Sequence, residues 1–141
     1  MASKGTAKWQ GDLKSGSGDF VAGDSITGNY SFKSRFEDGD GANPEQLIGA
    51  AHAACYSMAL SNALAEAGTP VDSVDTTALV TLKIVEGAPT ITKIELTTVG
   101  KVPGLDDSAF QAAAQDAKEN CPVSKALASV PEMTLNASLS S

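Results

Sequence analysis

The sequence predicts an α+β fold with antiparallel sheets packed around a long central helix, and three observations carry that prediction. Short alternating runs broken by glycines fill the first quarter of the chain, one long uncharged helical stretch follows, and two β-branched runs around a tight turn come after it. The expected order is βββ-α-ββ-α-α-β, within a single domain over residues 1–141.

From Thr6 to Ser34 the runs TAKWQGD, GDFVAGD and GNYSFKSRF alternate apolar and polar residues. Gly16, Gly18, Gly23 and Gly28 punctuate them as turns, giving two or three strands of a meander. EDGDGA, Glu37 to Ala42, is a loop into the next element. That element is NPEQLIGAAHAACYSMALSNALAEAG, Asn43 to Gly68. Asn43 suits an N-cap, Pro44 the first helical position and Gln46 the reciprocal place of a capping box, while Gly68 and Pro70 supply the stop. No formal charge falls between Leu47 and Ala65, and apolar or small residues occupy every side of the wheel, so the helix is expected to be buried. His52, Ser57, Ser61 and Asn62 interrupt it too often for a membrane span.

TTALVTLKIVE and APTITKIELTTVGKV then form a hairpin about a turn at Gly87 to Pro89, ended by Pro103-Gly104. DDSAFQAAAQDAKENC reads as a helix with Asp106 or Asp107 near its start. CPVSKALA is a short helix with Pro122 in its first turn, and MTLNASL is a closing strand.

Composition narrows the function classes. Ten basic residues against 17 acidic ones give a formal charge of −7, which makes nucleic acid and anionic membrane surfaces poor partners. The start MASKGTAKWQ lacks the apolar segment of a signal peptide, and neither end carries a lipidation signal, so a cytoplasmic location is the expectation. In that compartment two cysteines are more readily catalytic or redox-active than a structural cross-link.

Cys55 lies at the centre of the long helix. By itself it reads first as a small buried hydrophobe, because a thiol needs electropositive surroundings from elsewhere in the chain to ionise. Cys121 directly precedes Pro122 at a helix start, where unpaired backbone N–H groups lower a thiol pKa. The two are 66 residues apart with no CxxC spacing and one histidine in the chain, a poor pattern for zinc. Arg35 precedes the helix and Glu45 sits in its first turn, and as a pair they could present a held guanidinium to a thiol. Ten residues of helix, about 15 Å, separate Glu45 from Cys55, too far for either side chain to bridge. A two-fold related copy crossing near Ala50, with Gly49, Ala50, Ala51, Ala53 and Ala54 permitting close approach, would bring Glu45 of one chain to Cys55 of the other. A C2 homodimer with composite sites is therefore expected. His52 shares a helical face with Cys55. A Cys–His pair of that kind would suit acyl transfer, but no third residue to orient the histidine is evident, and a buried histidine satisfied by a backbone carbonyl is the expected role.

RFEDGDGANPEQLIGAAHAACYSMALS, then VPGLD, then NCPVSKAL closely resemble the OsmC branch of the OsmC/Ohr family of organic hydroperoxide reductases, and the likeness begins at KGTAKWQGDLKSG. The resemblance implies an intertwined α+β homodimer that reduces organic hydroperoxides through thiols. Cys55 then resembles the peroxidatic cysteine, Cys121 the resolving one, and Arg35 and Glu45 the paired activating residues. It implies no metal, flavin or haem, and an external dithiol reductant, in the family often a lipoylated protein. An apolar lining from Ile48, Met58 and Phe36 or Phe110 would favour organic hydroperoxides over H2O2. The competing reading is a non-enzymatic module that senses oxidation or binds a hydrophobic ligand.

Overall fold

The computed structural model describes residues 1–140. The chain forms two compact units, one from Met1 to Leu47 and one from Ile48 onward.

In the first unit, β1 (Gly5–Gln10), β2 (Ser17–Ala22) and β3 (Ile26–Tyr30) form the expected meander, an antiparallel sheet in the order β1-β2-β3. Phe20 is its buried residue, and the Trp9 and Tyr30 rings pack with centroids 5.4 Å apart. The strand predicted through SFKSRF stops at Tyr30, and Phe32–Phe36 is instead a short helix, α1. A reciprocal cap explains the difference. Ser31 Oγ accepts the Ser34 N–H at 3.1 Å, and Ser34 Oγ accepts the Ser31 N–H at 2.8 Å, which closes a helical first turn over residues whose alternation suggests a strand. The element order is accordingly βββ-α-α-ββ-α-α-β.

Helix α2 runs from Pro44 to Glu66 without a break. Asn43 caps it as expected, its Oδ1 accepting the Gln46 N–H at 2.8 Å. At the far end Gly68 takes φ 90°, and the Thr69 N–H bonds back to the Leu64 carbonyl. The helix is not buried all round, as its composition suggested. Gly49, His52, Tyr56, Leu60 and Leu64 form a buried stripe, while Ala50, Ala54, Met58 and Asn62 on the opposite side are exposed. No helix among the described residues is long and apolar enough to cross a membrane.

In the second unit β4 (Ser73–Val85) and β5 (Ala88–Lys101) make the predicted hairpin. Its turn is the two residues Glu86 and Gly87, at φ 50° and 80°, both in the left-handed region that matches strand twist. After β5 come α3 (Asp107–Asn120), capped by Asp106, and α4 (Pro122–Ala126), then β6 (Glu132–Leu139). β6 pairs with β5 in parallel, so this sheet, ordered β4-β5-β6, is mixed rather than wholly antiparallel. The two helices between β5 and β6 supply the crossover a parallel pair requires.

The core of this unit joins Tyr56, Leu60 and Leu64 of α2 to Ile94 and Leu96 of β5 and to Phe110, Ala114 and Ala117 of α3, with Cys121 at its edge. Ser57 Oγ donates to Thr76 Oγ1 at 2.7 Å, and Thr76 meets the fully buried Thr98 at 3.0 Å, which fixes α2 over β4 and β5. Gly100 permits the close approach of the Phe110 ring, since a Cβ there would lie 2.5 Å from Phe110 Cε1. Phe110 is fully buried. Gly100→Ala is therefore expected to destabilise the fold by about 1–3 kcal/mol through overpacking, read as a lower denaturation midpoint in urea at unchanged m-value.

Candidate active site

Arg35, the fourth residue of α1, meets Glu45 in the first turn of α2. Both Arg35 Nε and Nη2 donate to a single carboxylate oxygen, Oε1, at 3.0 and 2.8 Å. The Glu45 side chain is 8% exposed and the Arg35 side chain 35% exposed, so the acid is held inside while the arginine stays partly open. Three further contacts surround the arginine's turn of chain. Ser34 Oγ donates to the Ala42 carbonyl, Asn43 Nδ2 donates to the Ser34 carbonyl, and the guanidinium carbon stands 5.4 Å from the centre of the Phe36 ring. The sequence-predicted pair thus forms, on a helical turn instead of a strand end.

The second unit brings together the other two predicted residues. Cys55, half-buried on α2, and Cys121, fully buried at the N-cap of α4, are both free thiols. They are close enough to perturb one another's ionisation. Burial holds the Cys55 thiol above its ordinary pKa; the Val123 N–H works against this, and the Cys121 neighbour adds to the rise. Burial also opposes ionisation of Cys121. It is outweighed by the Ser124 N–H, the Cys55 thiol, the Ser124 hydroxyl and the Val123 N–H, so Cys121 lies below its ordinary value. Within one chain Cys121 is therefore the more readily ionised of the two thiols, and backbone N–H groups at the start of α4 contribute to this.

Phe110, expected as a lining residue, is a fully buried core side chain, and Met58 is 75% exposed on the outer stripe of α2. Phe36 packs against Phe32, ring centres 4.9 Å apart.

The sequence model of the family described as OsmC-like protein matches residues 37–136, which span both units. The chain is also 49% identical over 140 residues to Peroxiredoxin OsmC of Escherichia coli, covering 98% of this chain and 96% of that one. This chain belongs to the OsmC-like family. Among solved structures, the organic hydroperoxide resistance protein OhrB of Bacillus subtilis is 26% identical, with TM-score 0.71 over 99% of this chain and 98% of that one. The organic hydroperoxide resistance protein OsmC of Legionella pneumophila shares the fold at 23% identity, with TM-score 0.69 over 98% and 97% of the two chains.

Two residues of this OsmC-like chain next to the thiols were not singled out by sequence reasoning. Ser124 and Val123 present polar groups that favour the Cys121 thiolate. The available signal was their position, at the second and third residues of a helix whose N-cap is a cysteine. His52, by contrast, faces Ser124 rather than forming a pair with Cys55: its Nε2 lies 2.7 Å from Ser124 Oγ.

Proposed function

We propose that this chain is a two-cysteine peroxidase that reduces organic hydroperoxides to alcohols. The observation that carries the reading is the pairing of two free thiols from distant parts of the sequence, Cys55 and Cys121, beside the polar start of α4. The 49% identity to a peroxiredoxin supports it. Cys55 as thiolate attacks the terminal peroxide oxygen; the S–O bond forms as the O–O bond breaks, Cys55 becomes a sulfenic acid, and the departing alkoxide takes a proton from solvent and leaves as the alcohol. Cys121 then attacks that sulfur, an S–S bond forms, and water leaves. An external dithiol, such as a lipoyl group, reopens the disulfide by exchange.

The second part of the proposal is that a cation from a second chain counters the burial that raises the Cys55 pKa within one chain. Glu45 and Cys55 are ten residues apart on one uninterrupted helix, about 15 Å along its axis. In a C2 homodimer, Arg35 and Glu45 of one chain would serve Cys55 of the other, and both units would work as one functional domain. The exposed stripe of Ala50, Ala54 and Met58 suits such a crossing. Gly49 is removed from that contact surface, because it is buried against β4, where a Cβ would sit 3.0 Å from the Ala78 carbonyl oxygen.

One equivalent of tert-butyl hydroperoxide is expected to consume both thiols at once, measured by thiol titration of the denatured protein. Persistence of both thiols overturns the reading in favour of a passive ligand-binding module. In Cys121→Ser the expectation is one oxidation per site, trapped as a sulfenic acid by dimedone and visible as an added mass, followed by over-oxidation with excess peroxide.

A further inference from the structure

His52 is fully buried on α2, and the peroxide chemistry proposed above gives it no role. Its Nε2 lies 2.7 Å from the hydroxyl of Ser124, itself buried. Its Nδ1 is buried too and has no hydrogen-bond partner among the described residues. Ser124 is the third residue of α4 and Cys121 is the N-cap, the two positions between which a capping box exchanges hydrogen bonds. In an ordinary box the third residue would accept the N-cap N–H, but the Cys121 N–H is committed to the Ala117 carbonyl at 2.9 Å.

These contacts set a direction. Neutral imidazole carries one proton, on either Nε2 or Nδ1. A proton on Nδ1 would be an orphaned buried N–H, the rarest kind of unpaired polar group, whereas a proton on Nε2 already meets Ser124 Oγ. The ring therefore donates through Nε2. Ser124, its oxygen occupied as an acceptor, keeps its own proton to donate, and the Cys121 sulfur stands at the N-cap of the same first turn of α4.

We propose that His52 and Ser124 are positioning residues for Cys121, forming a buried relay, His52 Nε2–H to Ser124 Oγ–H to Cys121 Sγ, that holds this sulfur as a hydrogen-bond acceptor poised to attack an oxidised Cys55. The proposal rests on the reading of Cys121 as the resolving cysteine. In the assisted step the Cys121 thiolate attacks the sulfur of Cys55–SOH. The S–S bond forms, the S–O bond breaks, and the departing hydroxide takes a proton from solvent and leaves as water; the hydroperoxide has already supplied the oxidising equivalent.

The surroundings agree with this polarity. Burial lowers the His52 pKa and keeps the ring neutral, and the Ser124 hydroxyl is among the groups that favour the Cys121 thiolate against burial. The other titratable groups facing Cys121 are Cys55 and Tyr56 of α2. Burial, then the Cys121 charge, push the Tyr56 hydroxyl far up, and it stays neutral while donating to the Ala114 carbonyl at 2.9 Å. Lys118, Glu119 and Lys125 line the groove on the outer side of Ser124.

The test uses the full chain. In a Cys55→Ser background, which isolates the second thiol while keeping a hydroxyl donor beside it, Cys121 is titrated by thiolate absorbance near 240 nm. Ser124→Ala and His52→Leu are each expected to move its midpoint to higher pH. His52→Gln, whose amide Nε2 can donate from a similar reach, is expected to restore most of the parent value. With Cys55 intact, Ser124→Ala is expected to slow disulfide closure after one equivalent of tert-butyl hydroperoxide by about three- to ten-fold at pH 7, the loss shrinking as pH rises and the thiolate fraction recovers. A Cys121 midpoint unmoved in both Ser124→Ala and His52→Leu, with unchanged melting temperatures, overturns the relay. So does a shift in Ser124→Ala with none in His52→Leu. If His52→Leu does not fold, Ser124→Ala and His52→Gln decide, since the relay requires a shift in the first and not in the second. A parent protein that consumes no hydroperoxide sinks the peroxidase reading, yet the Cys121 titration still reads the relay by itself.

Discussion

Cys55→Ser is expected to lower turnover of tert-butyl or cumene hydroperoxide by on the order of a thousand-fold or more, the scale of losing a covalent nucleophile. A seryl hydroxyl is not ionised near neutral pH and its oxygen cannot accept the peroxide oxygen to give a sulfenate-like state. The variant leaves Cys121 in place, and Cys121 is the thiol that a single chain ionises more readily. It is also fully buried, so its low pKa alone does not give a peroxide access to it. The measurement is peroxide-dependent oxidation of a reducing dithiol, run beside Cys121→Ser. Multi-turnover activity in Cys55→Ser would transfer the nucleophile's role to Cys121 and end the assignment proposed above. Full peroxidase activity in His52→Ala would separately remove the Cys55–His52 acyl-transfer alternative.

The second large effect concerns Arg35. Its guanidinium is tied through Nε and Nη2 to one oxygen of a buried carboxylate, which fixes the cation without covering it. Burial raises the Cys55 pKa, and in the site proposed above the guanidinium of a second chain counters that rise. Arg35→Met is expected to reduce hydroperoxide turnover by about 10²–10³, the range for removing one preorganised charge or donor. Its pH profile should move to higher pH, because Cys55 then ionises only in more alkaline solution. Co-expression with Cys55→Ser separates composite sites from sites made by one chain. A heterodimer of the two inactive variants holds one intact site of its two, so random pairing restores about a quarter of the parent activity if the sites are shared between chains. Recovery confined to background levels, or a monomeric parent in sedimentation, rules out the shared site.

Local rules placed most of the elements. Asn43, Pro44 and Gly68 bound α2 because capping, a fixed proline φ and a left-handed glycine act over a few residues. The same reach explains the hairpin, the Asp106 cap and the position of Cys121 before Pro122. Two errors have local causes that were legible in principle. The Ser31–Ser34 reciprocal cap overrides the alternation of SFKSRF, and the β4–β5 turn falls on Glu86-Gly87, one residue earlier than the Gly-Pro pattern suggests. The faces of α2 are a different matter. Its exposed stripe carries alanines and Met58 in place of charges, so composition gives almost no contrast between the covered and uncovered sides.

The sequence by itself determined which groups could react: a thiol in mid-helix, a second thiol at a helix start, and an arginine and a glutamate flanking the loop into α2. Tertiary structure alone decided which of them meet. Cys55 with Cys121, His52 with Ser124, and β6 parallel to β5 all join residues tens of positions apart. Capping and periodicity extend only a turn or two along the chain. Such distant partners are selected by the packing of α2, α3 and the second sheet around Tyr56, Leu60, Ile94 and Phe110, and by the requirement that polar groups buried there find one another.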